Sequence, residues 1–239
     1  MSARHVLTAL VALITLPAAD ARAAVTLWTE VPVRVYDTTG TSAAERRTSL
    51  DVAGSIVSAV AVNVIWRVCD QQGKGQRAKG KGEGSKGKGE VKGTCDSPLN
   101  PRELALRIIR SPVPNNYRGD LPLGDALIDT RVGAGVLATV YLDRVTWIAQ
   151  QTHADRSVLL GRAIAHELGH LLMATSGHGT GGLMRAVWSR GELRHGQTSD
   201  WMFTQADAAA IAARARRWPS LVGAMREPGI SDAPRSRCR

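Results

Sequence analysis

Residues 163–184 read AIAHELGHLLMATSGHGTGGLM and hold three of the chain's six histidines, His166, His170 and His178, with Glu167 directly after the first. His166 and His170 are four residues apart. On a helix that spacing puts both imidazoles on one face, about 5–6 Å apart at Cβ, so they can converge on one ion. Zinc takes imidazole nitrogen at about 2.0–2.1 Å, and its catalytic sites use three protein ligands with one position left for water. Glu167 projects from an adjacent side and reaches that water without ligating the metal, which is the general-base role in H-E-x-x-H sites. A metal there acidifies water and polarises a carbonyl, so the chemistry indicated is hydrolysis.

A third ligand is required. His178 leads, because Gly177, Gly179, Gly181 and Gly182 around it let the chain leave a helix and turn back beneath the metal. Glu192 is the rival, 22 residues after His170 but within RGELRHG, which reads as a loop. His195 and Asp200 are weaker alternatives. A surface helix with incidental histidines would have to explain ionisable groups set among Leu159, Leu160, Ile164, Leu168, Leu171 and Leu172. Burying unpaired imidazole and carboxylate is costly, and a cation removes the difficulty.

The elements that must hold these residues follow from periodicity. VPVRVYD (31–37) alternates as a strand, and 41–60 reads as a helix with Ser42 and Glu45 at capping-box spacing. Strands are expected at 62–69, 103–110, 126–130 and 135–145, with a short helix starting near 144, and 111–125 is a Pro/Gly/Asn loop. SVLLGRAIAHELGHLLMA (157–174) is a strong helix that Asp155 or Ser157 can cap. A last helix over 205–217 follows Phe203 and Thr204 and stops at Pro219. The fold class expected is α+β: one mixed sheet with a first packing helix, an active-site helix and a C-terminal helix.

HELGH at 166–170, the late His178 and the Gly-Leu-Met at 182–184 together resemble the metzincin class of zinc metallopeptidases, whose motif is H-E-x-x-H-x-x-G-x-x-H followed by a methionine turn. The resemblance implies zinc on His166, His170 and His178, Glu167 as catalytic base, and Met184 as a hydrophobic floor. It departs at Met173 and Ser176, where the family pattern has Gly and His, and His178 comes two residues late. No Tyr follows Met184. These departures leave the branch unassigned.

Residues 1–23, with Arg4, an apolar run from Val6 to Leu16, Pro17 and an Ala-x-Ala at Ala21–Ala23, have the layout of a secretory signal peptide. That run is too short for a bilayer, which needs about 20 residues. The protein is therefore expected to be secreted, extracellular or periplasmic, where disulfides form. Of the cysteines, Cys69 and Cys95 bracket a Gly/Lys-rich insert (72–94) and are expected to pair at its base, leaving Cys238 over. The peptidase-like domain spans 24–220, followed by a basic tail, 221–239. The formal charge is +10, and residues 73–93, with six Lys, one Arg and two Glu, contribute +5 of it. No aromatic residue stands among those lysines for a base to stack on, so specific nucleic-acid binding is not expected and only weak attraction to anionic surfaces remains.

The function expected is a zinc-dependent peptidase acting on peptides or proteins. Two alternatives remain: a non-catalytic, zinc-stabilised envelope or binding protein, and a polycationic binding module using residues 73–93. Among minor candidates, Arg185 is placed to touch substrate or a carboxylate, Trp188 and Trp201 to pack, and His153 to lie on the surface. YLDRV (141–145) is an inner strand or one lining the cleft.

Overall fold

The computed structural model describes residues 29–69, 95–100, 103–113, 121–129 and 134–215. The signal-peptide stretch, the insert, Pro219, the basic tail and Cys238 lie outside the described residues.

Alternating Val31, Val33 and Val35 build strand β1 (Thr29–Asp37) and are all buried on one face of it. Ser42 then caps helix α1 (Ala43–Ser58), its side chain accepting from the Glu45 N–H, and β2 (Val62–Val68) returns parallel to β1. Strands β3 (Leu104–Ile109), β4 (Gly124–Asp129) and β5 (Ala134–Tyr141) complete a sheet of order β2-β1-β3-β5-β4. All neighbours are parallel except β4, which runs antiparallel to β5 along the edge and carries an irregularity at Leu127/Ile128. The α+β expectation, one mixed sheet with packing helices, holds.

Several segments differ from the sequence reading. The expected strand at 135–145 ends at Tyr141, where helix α2 (Leu142–Thr152) begins; YLDRV is therefore mostly helical. Leu142, Val145, Ala149 and Thr152 are its buried positions, a helical spacing whose first turn overlaps the end of an alternating run. The segment RGELRHG is not a loop: Arg190–His195 forms helix α4, because Ser189 and Glu192 make a reciprocal capping box. A 3-10 turn (Thr198–Trp201) leads to α5 (Gln205–Ala215), where Thr204 and Asp207 cap one another.

Helix α3 (Arg156–Met173) is the centre of the molecule, capped by Asp155 as expected. It packs on α1, on β4 and β5, and on α2 and α5. Leu159, Leu160, Ile164, Leu168 and Leu171 are completely or almost completely buried there, each contributing about 1.5–3 kcal/mol by leaving water. Gly161 permits the α1–α3 crossing, since a Cβ on it would lie 2.6 Å from the Ser49 carbonyl oxygen.

On the opposite face of the sheet, Arg34 is buried beneath residues 95–100. It donates to Glu103 Oε2 at 2.7 Å and to the carbonyls of Ser97 and Pro98, while Arg67 holds Glu103 Oε1 at 3.2 Å. The Cys69–Cys95 disulfide ties the start of the 95–100 segment to the end of β2, with Cα atoms 5.7 Å apart. Among the described residues no helix is long and apolar enough to cross a membrane.

Candidate metal centre

His166 and His170 occupy one face of α3 and are both buried, with ring centroids 4.8 Å apart. The helix ends at Ala174, whose left-handed φ of 51° turns the chain back. An alanine does what the sequence reading gave to the glycines. Of those, Gly182 (φ 65°) does adopt a left-handed conformation, at a point where a Cβ would lie 2.6 Å from the Met202 carbonyl oxygen. The return brings His178 to the pair: its centroid is 4.8 Å from that of His170 and 5.3 Å from that of His166. One nitrogen from each of the three rings lies within 4.8 Å of the others. His178 is exposed, so the cluster opens to solvent on its side.

The ring orientations are fixed from behind. His166 Nδ1 lies 2.9 Å from the Leu183 carbonyl oxygen and His170 Nδ1 lies 2.7 Å from that of Thr175. A carbonyl only accepts, so both Nδ1 atoms carry the proton and both Nε2 atoms present lone pairs. Those two Nε2 atoms face each other at 3.1 Å. Two lone pairs at that distance repel unless a cation lies between them. Tetrahedral zinc with bonds of about 2.0–2.1 Å would hold its nitrogens about 3.3 Å apart, close to the separation found. The donor set therefore fits zinc. Backbone carbonyls fixing the second nitrogen are the usual outer support of a metal-binding imidazole. Burial, and then the neighbouring imidazoles, hold the His166 pKa down at about 4, and burial lowers that of His170 as well. Both rings are thus kept in the neutral form that ligates.

Glu167 is buried on the adjacent side of α3, and burial pushes its pKa up to about 8, with the charge of Asp125 adding to the rise. Its carboxyl lies against β4 at Gly124, where a Cβ would come within 2.7 Å of Oε1. The strand expected at 126–130 begins two residues earlier, at Gly124, within the stretch 111–125 that reads as a Pro/Gly/Asn loop.

Met184 is buried against the turn of α3 that carries Gly169, where a Cβ would lie 2.6 Å from its sulfur. Trp188 does more than pack: its indole stands edge-on to His166 at 5.7 Å, and Nε1 donates to the Leu183 carbonyl. Trp201 stacks edge-on against Trp188 and beneath the Arg162 guanidinium, as a packing residue. The alternative ligands are elsewhere. Glu192 is engaged by Arg185 and by the Ser189 N–H, Asp200 accepts from the Gln197 N–H, and His195 is exposed at the end of α4. Arg185 thus meets a carboxylate, and His153 is exposed at the end of α2.

A cavity of about 490 Å³ adjoins the cluster, walled by Leu123 and Asp125 on the β4 side, Trp147 and Ile148 on α2, and Trp188 and Leu193. No protein-family profile and no curated protein matches the sequence. Among solved structures the chain is similar to a zinc-dependent peptidase from Methanocorpusculum labreanum. That match is 14% identical, with TM-score 0.45, and covers 75% of this chain and 99% of that one. It is likewise similar to archaemetzincin from Methanopyrus kandleri, 16% identical with TM-score 0.44, over 80% of this chain and 97% of that one. The likeness is loose, and the fold assignment rests on the chain's own strand order.

Proposed function

We propose that this protein is a zinc-dependent peptidase in which His166, His170 and His178 hold the ion and Glu167 is the general base. The observation that carries the reading is the pair of inward Nε2 lone pairs at 3.1 Å, each imidazole locked from behind by a backbone carbonyl. An all-nitrogen set of three suits zinc. When bound, the ion supplies Lewis acidity, which acidifies water and polarises a peptide carbonyl.

The chain's own groups do the rest. Glu167 takes a proton from water and returns it to the departing amine nitrogen. Its buried setting matches that task, since a base whose pKa lies near the working pH both gains and releases a proton readily. Among the described residues β4 is the edge strand of the sheet, and it runs beside the cavity where an extended peptide could pair with it, the geometry of strand addition. The mostly apolar walls of Leu123, Trp147, Ile148 and Leu193 suit a side chain of such a peptide. Export completes the proposal; the signal-like residues 1–23 and the Cys69–Cys95 disulfide support it.

The test is metal analysis of the purified protein together with a peptide-library digest of wild type and Glu167→Gln. One zinc per chain is expected, with cleavage lost on chelation and in the variant. Zinc-bearing wild type that cuts no peptide would refute the reading.

A further inference from the structure

We infer that Asp125 is a specificity-determining residue that receives a cationic group of the substrate, a Lys or Arg side chain or a terminal ammonium, on the β4 wall of the cleft. The inference rests on the peptidase reading and extends it to the class of substrate.

Asp125 is exposed and lines the same cavity as Glu167 and the three histidines. Its carboxylate is held in place without being neutralised. Oδ1 accepts from the Tyr141 hydroxyl. The Tyr141 ring lies beneath the Arg144 guanidinium, whose Cζ is 4.1 Å from the ring centroid. Arg144 is tied down in turn, donating to the Pro122 carbonyl at 2.9 Å and to Ser111 Oγ at 3.0 Å. Four residues therefore fix one oxygen of Asp125 on an edge strand. Among the described residues Oδ2 has no partner, and no Arg or Lys nitrogen lies within ion-pair distance of this carboxylate.

Several carboxylates among the described residues are held in ion pairs. Glu192 binds Arg185, Glu103 binds Arg34 and Arg67, and Asp143 binds Arg110. Asp125 differs from them in being oriented, open and beside the site of chemistry. It follows Gly124, the residue against which the Glu167 carboxyl lies. The chain as a whole carries +10, so the distant field does not draw in a cation. Attraction for one arises only where a fixed anion faces the bound peptide. A hydroxyl that positions one oxygen leaves the other to accept a charge-assisted hydrogen bond from an ammonium or guanidinium. The recognition is directional because the carboxylate does not have to be ordered when the substrate arrives.

The experiment uses peptide pairs that differ at one position only, Lys against norleucine or Arg against citrulline, scanned along the peptide. Cleavage is measured with zinc-loaded wild type. Binding of the same peptides is measured by calorimetry on zinc-loaded Glu167→Gln. At one position the cationic member should be preferred about fivefold in both assays, the size of a partly exposed ion pair. Asp125→Asn keeps an amide oxygen for Tyr141 and so keeps the wall in place, but should abolish the preference; Asp125→Lys should reverse it. Equal handling of every pair, or a preference that survives Asp125→Asn, overturns the inference while leaving the peptidase reading intact. Peptides that bind selectively but are never cut overturn the peptidase reading, and the binding series still upholds the cation subsite. A protein that neither binds nor cuts any peptide overturns both.

Discussion

His166 and Trp188 donate to the same acceptor: the Leu183 carbonyl takes the imidazole Nδ1–H at 2.9 Å and the indole Nε1–H at 3.3 Å. The indole also shields one side of the imidazole. Trp188→Phe keeps the shield and drops one hydrogen bond, so zinc affinity should stay within about threefold. Trp188→Ala removes the shield and admits water to the carbonyl. Outer supports of metal ligands are worth about 10–100-fold in affinity, and the loss should reach the lower part of that range. Competition with a chromophoric chelator measures both; an unchanged affinity in Trp188→Ala would show that the indole only packs.

His178 and Glu192 make opposite predictions. His178→Ala should cut zinc affinity by about a hundredfold or more, because a catalytic site holds its ion with three protein ligands. Glu192→Ala should leave zinc content unchanged and cost about 1 kcal/mol through the lost capping box. Parallel metal analysis and urea titrations decide, and zinc loss in the Glu192 variant would reassign the ligand.

The zinc-free protein should respond to pH through three buried groups on α3, His166, Glu167 and His170. Glu167 has a folded pKa raised to about 8 against 4.5 unfolded, so between these values the folded state binds more protons than the unfolded one, and stability falls as pH rises. His166 is depressed to about 4 against 6.5 unfolded, so stability falls as pH drops from 6.5 toward 4. Between 4.5 and 6.5 the histidine and glutamate slopes oppose each other, with His170 adding to the slope of His166; above 6.5 Glu167 leaves a decline to pH 8 on the order of 1 kcal/mol per pH unit. Glu167→Gln should flatten that decline. Urea midpoints of chelator-treated protein across the range test this, and an identical slope in the variant would show that Glu167 does not titrate there.

Gly161 and Gly169 should differ in their tolerance of alanine. At Gly169 the added methyl meets the Met184 sulfur and the Phe203 ring, side chains with some room to move. At Gly161 it meets the Ser49 backbone carbonyl and Val52 Cβ. Overpacking costs about 1–3 kcal/mol, and Gly161→Ala should lie at the upper end with Gly169→Ala at the lower. Denaturant midpoints of the zinc-free variants rank them; equal losses would mean that the two helices separate freely.

Much of this was legible in the residues. Helix α3 was visible from end to end because its buried leucines keep one period for five turns and Asp155 stands at the cap. The meeting of His178 with the helical pair followed from short-range geometry. What stayed hidden depends on neighbours distant in the chain. Nothing near Gly124 says that β4 will lie along Glu167, because that contact is made across more than forty residues. Helix α4 was missed although both members of its capping box are present, since six residues offer no period to read. The end of β5 was misjudged because Tyr141 to Val145 satisfies a strand and a helix about equally well. The buried Arg34–Glu103 pair gave no sign at all, since an alternating strand ordinarily turns its charged positions to water.

The two carbonyls that orient the paired imidazoles, those of Thr175 and Leu183, both lie downstream of the helix that carries the rings. A nascent chain that has emerged only as far as Met173 owns two of the nitrogens and neither brace. Tight capture of a cation must therefore wait for synthesis to pass Leu183 and for that stretch to double back. Early in its life the polypeptide is a poor scavenger, and acquiring the ion becomes a late checkpoint that only a nearly finished fold can pass.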